Sequence, residues 1–404
     1  MKRDEIVKNV ADEGVKFIKL MFTDALGAPK VIEVYATSLA DVLDNKMLTD
    51  GSNMKGFTKV SSADVILAPD YSSYRRLPMY DSEFGAVAMF MCDVLGPDRK
   101  PLEGCTRSRL KAELEKLKNM GFSKMNVGFE PEFFLLTDNP KGKAFETILH
   151  DEFGYNDPDS IGIGARVRRE IMHEMVRVGI SPITSHHEAA PSQHEISYKY
   201  ADALAACDNL IVLRLIVGDI AKKNGLFATF SPKPMGGVNG SGLHTHISLV
   251  GKDGKNAFMS SDGLSDNAKY FIAGVLAHSR ALCGLTNPSE ESYRRLVPGY
   301  EAPVSVCWGY HNRSAMIRIP IASGAATRIE VRNPDNSSNP YLATVGTLRA
   351  GLDGIAKAKM PPDAVGFNAW HDKSSAKIAT LPVSLAEALD ELAKSPLLKD
   401  LIIG

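Results

Sequence analysis

Glu130 and Glu132 lie two positions apart in Gly-Phe-Glu-Pro-Glu-Phe-Phe. The same spacing recurs in His244, His246 and Ser248, in Gln193 and Glu195, and in Arg328, Glu330 and Arg332. A β-strand sends alternate side chains to opposite faces. Each stretch, as a strand, therefore has carboxylate, imidazole or guanidinium on one face and Ile, Val, Leu or Phe on the other. A charged front on an apolar back is the reverse of a plain core, and it suits the wall of a polar cavity. Carboxylates with histidine suit hard divalent cations, and arginines suit phosphate or carboxylate ligands. The combination points to metal-assisted phosphoryl chemistry.

Each stretch also has a plainer reading. Glu130 and Glu132 repel on one strand face unless a cation sits between them. The alternative is a solvated edge strand, against which Phe129, Phe133 and Phe134 predict a buried back. Glu188 and Glu195 flank a proline turn at 185–195 and can converge on one ion; otherwise this is a surface loop. Residues 233–248 form a glycine-rich run in which Asn239 adds an amide and the backbone can approach a ligand. It lacks the Gly-Lys-Ser/Thr ending of a P-loop. Arg294, Arg295, Arg313, Arg318, Arg328 and Arg332 are either a solvated face or buried partners of an anion. The apolar β-type residues around Arg318 favour the second.

The elements that must position these residues follow from composition and periodicity. The 404 residues suffice for two or three domains. Forty-seven basic and 48 acidic residues leave a net charge of -1, with no block of one sign. Nucleic-acid and membrane-surface roles gain no support. Five scattered cysteines, at 92, 105, 207, 283 and 307, form no Cys-x-x-Cys pair, so no disulfide framework or zinc knuckle is expected. No apolar signal core opens the chain, and the apolar run at 210–220 is broken by Arg214 and Asp219. A soluble cytoplasmic protein is expected. The first hundred residues read as short β segments and turns, with strands at 16–22, 30–34 and 84–91 and a turn at 24–27. A polar, proline-bearing link at 97–104 marks a boundary between domains 1–100 and 101–404. Helical periodicity covers 107–120, 164–178, 201–224, 264–285 and 340–358. The fold class is α+β: a small, mostly β N-terminal domain, then a larger one whose sheet has a polar face and helices behind.

In their order and combination the motifs resemble glutamine synthetases of the bacterial type I class over nearly the whole chain. They are Asp-Gly-Ser at 50–52, Gly-Phe-Glu-Pro-Glu-Phe-Phe at 128–134 and His-His-Glu…Gln-His-Glu at 186–195. Lys-Pro…Asn-Gly-Ser-Gly-Leu-His…Ser follows at 233–248. Then come Ser-Tyr-Arg-Arg-Leu-Val-Pro-Gly-Tyr-Glu-Ala-Pro at 292–303, Asn-Arg-Ser at 312–314, Ile-Arg-Ile-Pro at 317–320 and Arg-Ile-Glu-Val-Arg at 328–332. The resemblance implies a β-grasp-like N-terminal domain and an ATP- and glutamate-binding catalytic domain with a half-barrel of antiparallel strands backed by helices. It implies a homo-dodecamer of two stacked hexameric rings with active sites between subunits, and no nucleic-acid or membrane partner. The implied reaction is glutamate–ammonia ligation through γ-glutamyl phosphate, with ATP as co-substrate and two or more Mg2+ or Mn2+ ions. By the same resemblance Glu132, Glu188 and Glu195 hold one ion, and Glu130, His244 and Glu330 the other. Asn239, Gly240, Arg295 and Arg332 bind glutamate. His246, Ser248, Arg313, Arg318 and Arg328 bind ATP. Asp50, Tyr155 and Glu188 form the ammonium site, and Asp50, Glu301 and Arg313 act in catalysis, Glu301 from a flap that shields the acyl phosphate.

The chain departs from the family pattern at five places. Thr49 and Asn53 flank Asp-Gly-Ser where an aromatic and a second serine are usual. Ser192 replaces a glycine, Ile183 a nucleotide-contacting glutamate, and Ala325 a phosphate-facing lysine. Relatives continue past Gly404 through a helical segment, and no adenylylation-type tyrosine loop is evident. Two other functions compete: a γ-glutamyl ligase for methylamine, ethanolamine or a polyamine, and a non-catalytic paralogue. Asp50, Glu301 and a full set of metal ligands favour the ammonia ligase.

Overall fold

The computed structural model describes residues 1–402 except 142, 145–146, 159–161 and 262. Gly404 lies outside the described residues. Helix α1 (Arg3–Asp12) precedes β1 (Val15–Thr23) and β2 (Pro29–Tyr35), which pair antiparallel. Their turn is held by Asp24, whose Oδ1 accepts from the amides of Leu26 and Ala28 at 3.1 and 2.9 Å. A short α2 (Leu39–Leu43) leads to β3 (Met47–Asp50), β4 (Asp64–Pro69), β5 (Arg75–Arg76) and β6 (Ala86–Leu95). The sheet order is β2-β1-β6-β4-β3, with β5 beside β6. Period-two alternation divides its core. Ile18, Leu20, Phe22 and Phe90 pack under α1, while Met21, Met89 and Met91 join the main core on the other face.

Two expectations for this region need correction. It is not only β: Ile6 and Val10, four apart, bury one face of α1. The third expected strand starts at Ala86 rather than 84, because residues 82–85 turn back through the Ser82–Gly85 bridge and leave Phe84 exposed.

Helix α3 (Thr106–Asn119) opens the larger part. Its Arg107 is buried and bridges to Asp70 and Asp93 of the first sheet region and to Asp208 behind the second, at 2.8–3.0 Å. The long strand β7 (Phe122–Leu136) follows, then α4 (Ile163–Arg177), β8 (Pro182–His187), β9 (Gln193–Tyr198) and β10 (Ala201–Asp202). Next come α5 (Ala203–Lys223), β11 (Phe227–Thr229) and β12 (Leu243–Gly251). A hairpin of β13 (Met259–Ser260) and β14 (Gly263–Leu264) leads into α6 (Asp266–Ala277), α7 (Ser279–Thr286) and α8 (Glu290–Arg295). The last elements are β15 (Trp308–Tyr310), β16 (Ile317–Ile319), β17 (Ile329–Val331), α9 (Pro340–Ala356) and α10 (Leu385–Lys394). The nine-stranded sheet runs β15-β16-β17-β12-β7-β9-β8, with β10 and β11 also on β7. It curls into a half-barrel with α3, α5 and α9 packed behind it.

The helix expected at 264–285 is two helices. His278 leaves helical geometry at φ -105°, ψ 7°, and its Nε2 lies 2.9 Å from Asp353. The break lets α6 pack on α9 while α7 turns onto α10. The helix expected from 201 starts at Ala203, because the Asp202 side chain caps the amide of Ala205 at 3.2 Å. All five cysteines are buried and free. Among the described residues no helix is long and apolar enough to cross a membrane.

Candidate active site

Strand register gathers the alternating residues on one face. His244 on β12 lies across from Glu130 on β7, and His246 lies across from Glu330 on β17. Glu132 pairs with Glu195 on β9, and Arg318 on β16 pairs with Glu330. His244 sits centrally, 3.8 Å from Glu130, 3.7 Å from Glu132 and 3.9 Å from Glu330. Nε2 of His246 lies 3.0 Å from Glu130, and its Nδ1 accepts from Arg328 Nε at 3.1 Å. An acceptor role for Nδ1 puts the ring hydrogen on Nε2, facing the carboxylate. Glu188 follows β8 directly, and its Oε1 lies 2.8 Å from His186 Nε2.

Ligand atoms that lie within 4.8 Å of one another fall into three overlapping groups here: Glu130, Glu195 and His244; Glu130, His246 and Glu330; His186, Glu188 and Glu195. Five of the six expected metal ligands fall in these groups, and the sixth, Glu132, lies 3.7 Å from His244. The grouping differs from the expected division into two threes, with Glu130 and Glu195 each belonging to two groups. Glu132 is held apart by two donors, Gln193 Nε2 at 3.1 Å and the Gly242 amide at 2.9 Å.

The electrostatics call for a cation. Burial and the neighbouring Glu188 push Glu132 up to about 8. Burial and the charges of Glu130, Glu132, Glu188 and Glu330 drive Glu195 well above the usual carboxylate range. Burial also opposes ionisation of Glu330, but Arg332, the two histidines and Arg318 overcome it and hold the group at about 2. Desolvation likewise works against ionised Glu130, and His244 and His246 outweigh it. Burial and Arg332 lower His244 to about 4, so its imidazole is neutral, the form that binds metals. Carboxylates this close, with guanidinium groups on Glu330 alone, fit a divalent cation by charge and by donor type.

The arginines divide by depth. Arg295, on α8, is fully buried, and its guanidinium donates to the carbonyls of Asn333 and Arg332 at 2.8 and 3.1 Å. Arg332 pairs with Glu330 and donates to the Arg313 carbonyl at 3.1 Å. Its buried Nη2 has no hydrogen-bond partner among the described residues. Helix α8 carries Arg295 at its C-terminal end. Ser289 starts it with a capping box. Asn239, Gly240, Arg295, Tyr300 and Glu301 line a small cleft against Glu132 and His244. Lys233 places its ammonium 4.1 Å from the Tyr300 ring centre, tying the glycine-rich loop to the segment that carries Glu301. A separate cavity of about 330 Å3 is lined by His246, Ser248, Arg328, Ile183, Tyr200 and Ala325, among others.

One expected residue, Asp50, stands apart from the cluster, and another, Tyr155, lies at its rim. Asp50 ends the edge strand β3 of the other sheet and is exposed. Its carboxylate accepts from Ser52 and Asn53 at 2.6–2.7 Å, which holds it below the usual range. Tyr155 is half exposed and meets the ring of His186 edge-on at 5.4 Å. Desolvation lowers Arg313, and Tyr155, Glu301 and Glu330 beside it outweigh that and raise it.

Sequence reasoning overlooked His186, although its spacing from Glu188 is the same strand period. It also overlooked a second group, His150, Asp151 and His194. In that group His150 Nε2 and His194 Nε2 lie 2.9 Å apart, and Arg168 Nη1 lies 2.7 Å from His194 Nδ1. Both nitrogens of His194 are therefore engaged, and the group is a hydrogen-bonded brace. No local spacing signals it, because its members come from three segments.

A model of the glutamine synthetase β-grasp domain matches residues 14–97, and one of the glutamine synthetase catalytic domain matches residues 103–404. A glutamine synthetase of Thermus thermophilus is 44% identical over 98% of this chain and 90% of its own. One of Staphylococcus aureus is 42% identical with the same coverage. Among solved structures, a GmaS/ADP complex superposes with a TM-score of 0.89 at 31% identity, covering 98% of this chain and 91% of that one. A glutamine synthetase of Plasmodium falciparum gives 0.86 at 25% identity, covering 98% and 91%.

Proposed function

The chain belongs to the glutamine synthetase family, and from that premise we propose how its residues divide the work. The enzyme is a glutamate–ammonia ligase: ATP phosphorylates the γ-carboxylate of L-glutamate, and ammonia displaces phosphate to give L-glutamine. The observation that carries the reading is the buried carboxylate–histidine cluster, whose charge demands cations. Glu132, Glu188 and Glu195 would hold one Mg2+ or Mn2+, and Glu130, His244 and Glu330 a second. Divalent cations there neutralise charge on the transferring phosphoryl group.

Glutamate would lie in the cleft of Asn239 and Gly240, its carboxylates met by Arg295 and by the unpartnered Nη2 of Arg332. ATP would occupy the neighbouring cavity with His246, Ser248 and Arg328, its phosphates reached by Arg313 and Arg318. The GmaS/ADP complex supports a nucleotide site in this fold. Arg313 offsets charge in the transition state. Glu301 closes over the acyl phosphate and excludes water. Asp50, exposed on an edge strand, would serve a neighbouring subunit in two stacked rings of six. There, with Tyr155 and Glu188, it would bind ammonium and take its proton. Buried, unpaired cysteines fit a cytoplasmic setting. A non-catalytic role is not favoured, because the ligand set is complete, and ligation of other amines is not favoured, because Asp50 and Glu301 supply the carboxylates that ammonium calls for.

Hydroxylamine tests the scheme. It is largely neutral near pH 7 and needs no base. With glutamate and Mg-ATP it should trap γ-glutamyl hydroxamate. In Asp50→Asn, glutamine formation from ammonium should fall by about 10²-fold or more, while hydroxamate formation falls far less. Equal losses for both amines would contradict the role of Asp50.

A further inference from the structure

The turn between β8 and β9 carries Glu188 at one end and leads through Ser192 and Gln193 to Glu195 at the other. Its own backbone closes it: the Glu188 amide donates to the Gln193 carbonyl at 2.8 Å, and the Gln193 amide donates to the Ala190 carbonyl at 3.1 Å. A second set of bonds comes from outside the hairpin. Asp151 Oδ1 accepts from the Ser192 amide at 2.8 Å and lies 3.0 Å from His187 Nε2. The other ring nitrogen of His187 lies 2.7 Å from the Glu188 carbonyl oxygen. Asp151 thus grips both ends of the turn. Its Oδ2 stands 3.0 Å from His150 Nδ1, within the brace of His150, His194 and Arg168.

Ser192 returns the grip. It is fully buried at φ +61°, a left-handed conformation that favours glycine. A serine there is strained unless its hydroxyl repays the strain. The hydroxyl accepts from the amides of His150 and Asp151 at 2.9 and 3.3 Å and lies 3.3 Å from the Asp151 carbonyl. Three polar contacts therefore join Asp151, from a separate segment, to Ser192 within the ligand-bearing turn, and neither residue belongs to the ligand set.

We propose that Asp151 and Ser192 form a clasp that positions Glu188 and Glu195 for metal, Asp151 being the principal positioning residue. The inference rests on the reading that these glutamates hold a divalent ion. Glu188, at the start of the 188–192 turn, and Glu195, on β9 beyond it, must converge on one point although their carboxylates repel one another. Without the clasp the turn opens and the two carboxylates separate, so the effect falls on metal affinity before it falls on the chemical step.

The test is Mn2+ binding followed by electron paramagnetic resonance, with the metal dependence of turnover beside it, in Asp151→Asn and Ser192→Gly. Asp151→Asn keeps the shape and removes the charge. Ser192→Gly removes the hydroxyl from a backbone that glycine adopts readily, so it tests the clasp without a folding defect. Loss of an outer partner of metal ligands typically lowers affinity about 10–100-fold. Asp151→Asn should weaken Mn2+ binding by that factor and Ser192→Gly by less, with kcat at saturating metal little changed and the melting temperature of the metal-free protein retained. Unchanged Mn2+ binding in both variants overturns the clasp. So does a loss of affinity that merely tracks a fall in stability of the metal-free protein. Failure of the unmodified protein to bind Mn2+ would overturn the metal reading itself, and the clasp with it.

Discussion

Glu132 is raised by burial and by Glu188, and Glu195 by burial and by the surrounding glutamates, whereas histidine holds Glu130 low and arginine and histidine hold Glu330 low. This split sets a pH dependence. An unfolded glutamate titrates at about 4.3, and Glu132 in the metal-free fold titrates at about 8. Below the unfolded value both states hold the proton, and the site costs no stability. As pH rises toward 8 the unfolded chain gives up its proton while the fold retains it, so metal-free stability declines across that window. Metal binding must displace such protons, and affinity should rise with pH over the same range. Calorimetric titration of Mn2+ near pH 7, in two buffers of different ionisation enthalpy, should detect net proton release; identical heats in both buffers would contradict the shifted carboxylates. Most residues of the carboxylate–histidine cluster were legible in the sequence because the strand period of two displays them, whereas Glu188 lies just past the end of β8. Glu132's donors, Gln193 Nε2 and the Gly242 amide, were not, since they depend on which strand and loop lie next to β7.

At the scale of elements, the site face is a consequence of strand order. β9, β7, β12 and β17 lie side by side, and antiparallel register alone aligns Glu195 with Glu132, Glu130 with His244, and His246 with Glu330. The helices behind must pack tightly enough to keep that sheet curved. α6 and α9 meet through glycines: a Cβ on Gly274 would stand 2.0 Å from the Ala350 carbonyl oxygen. Gly274→Ala should therefore push the helices apart and destabilise by about 1–3 kcal/mol, with KM for glutamate nearly unchanged because the contact lies behind the sheet. Denaturant unfolding checks the first part and steady-state kinetics the second. A variant as stable as the parent would contradict the close approach. Most helices and the first two strands could be read from periodicity and turn residues. The break at His278 could not, because two different packing partners, α9 and α10, cause it. Helix α1 was hidden by its polar composition, with only Ile6 and Val10 buried.

At the scale of the molecule, one side of the site is supplied by the curled sheet and the other is open. Asp50 sits on the far sheet's exposed edge and meets none of the cluster in its own chain. The ammonium-binding role proposed for it fits a neighbour's site, and under that proposal catalysis would depend on assembly. No local sequence signal states this; only the ordered motifs of a known family imply it. Arg107, bridging Asp70, Asp93 and Asp208, fixes how the edge sheet stands relative to the half-barrel. The departures at Thr49 and Asn53 lie beside Asp50, and Asn53 Nδ2 donates to its carboxylate at 2.6 Å. The choice of amine is thus where this chain could differ most from its relatives, and it is also the central claim. The direct measurement is phosphate release from Mg-ATP and glutamate by the assembled enzyme, with and without ammonium and with methylamine, ethanolamine or a polyamine in its place. Release that depends on ammonium, with glutamine formed in equal amount, is the predicted result. Release with a larger amine and not with ammonium would contradict the account.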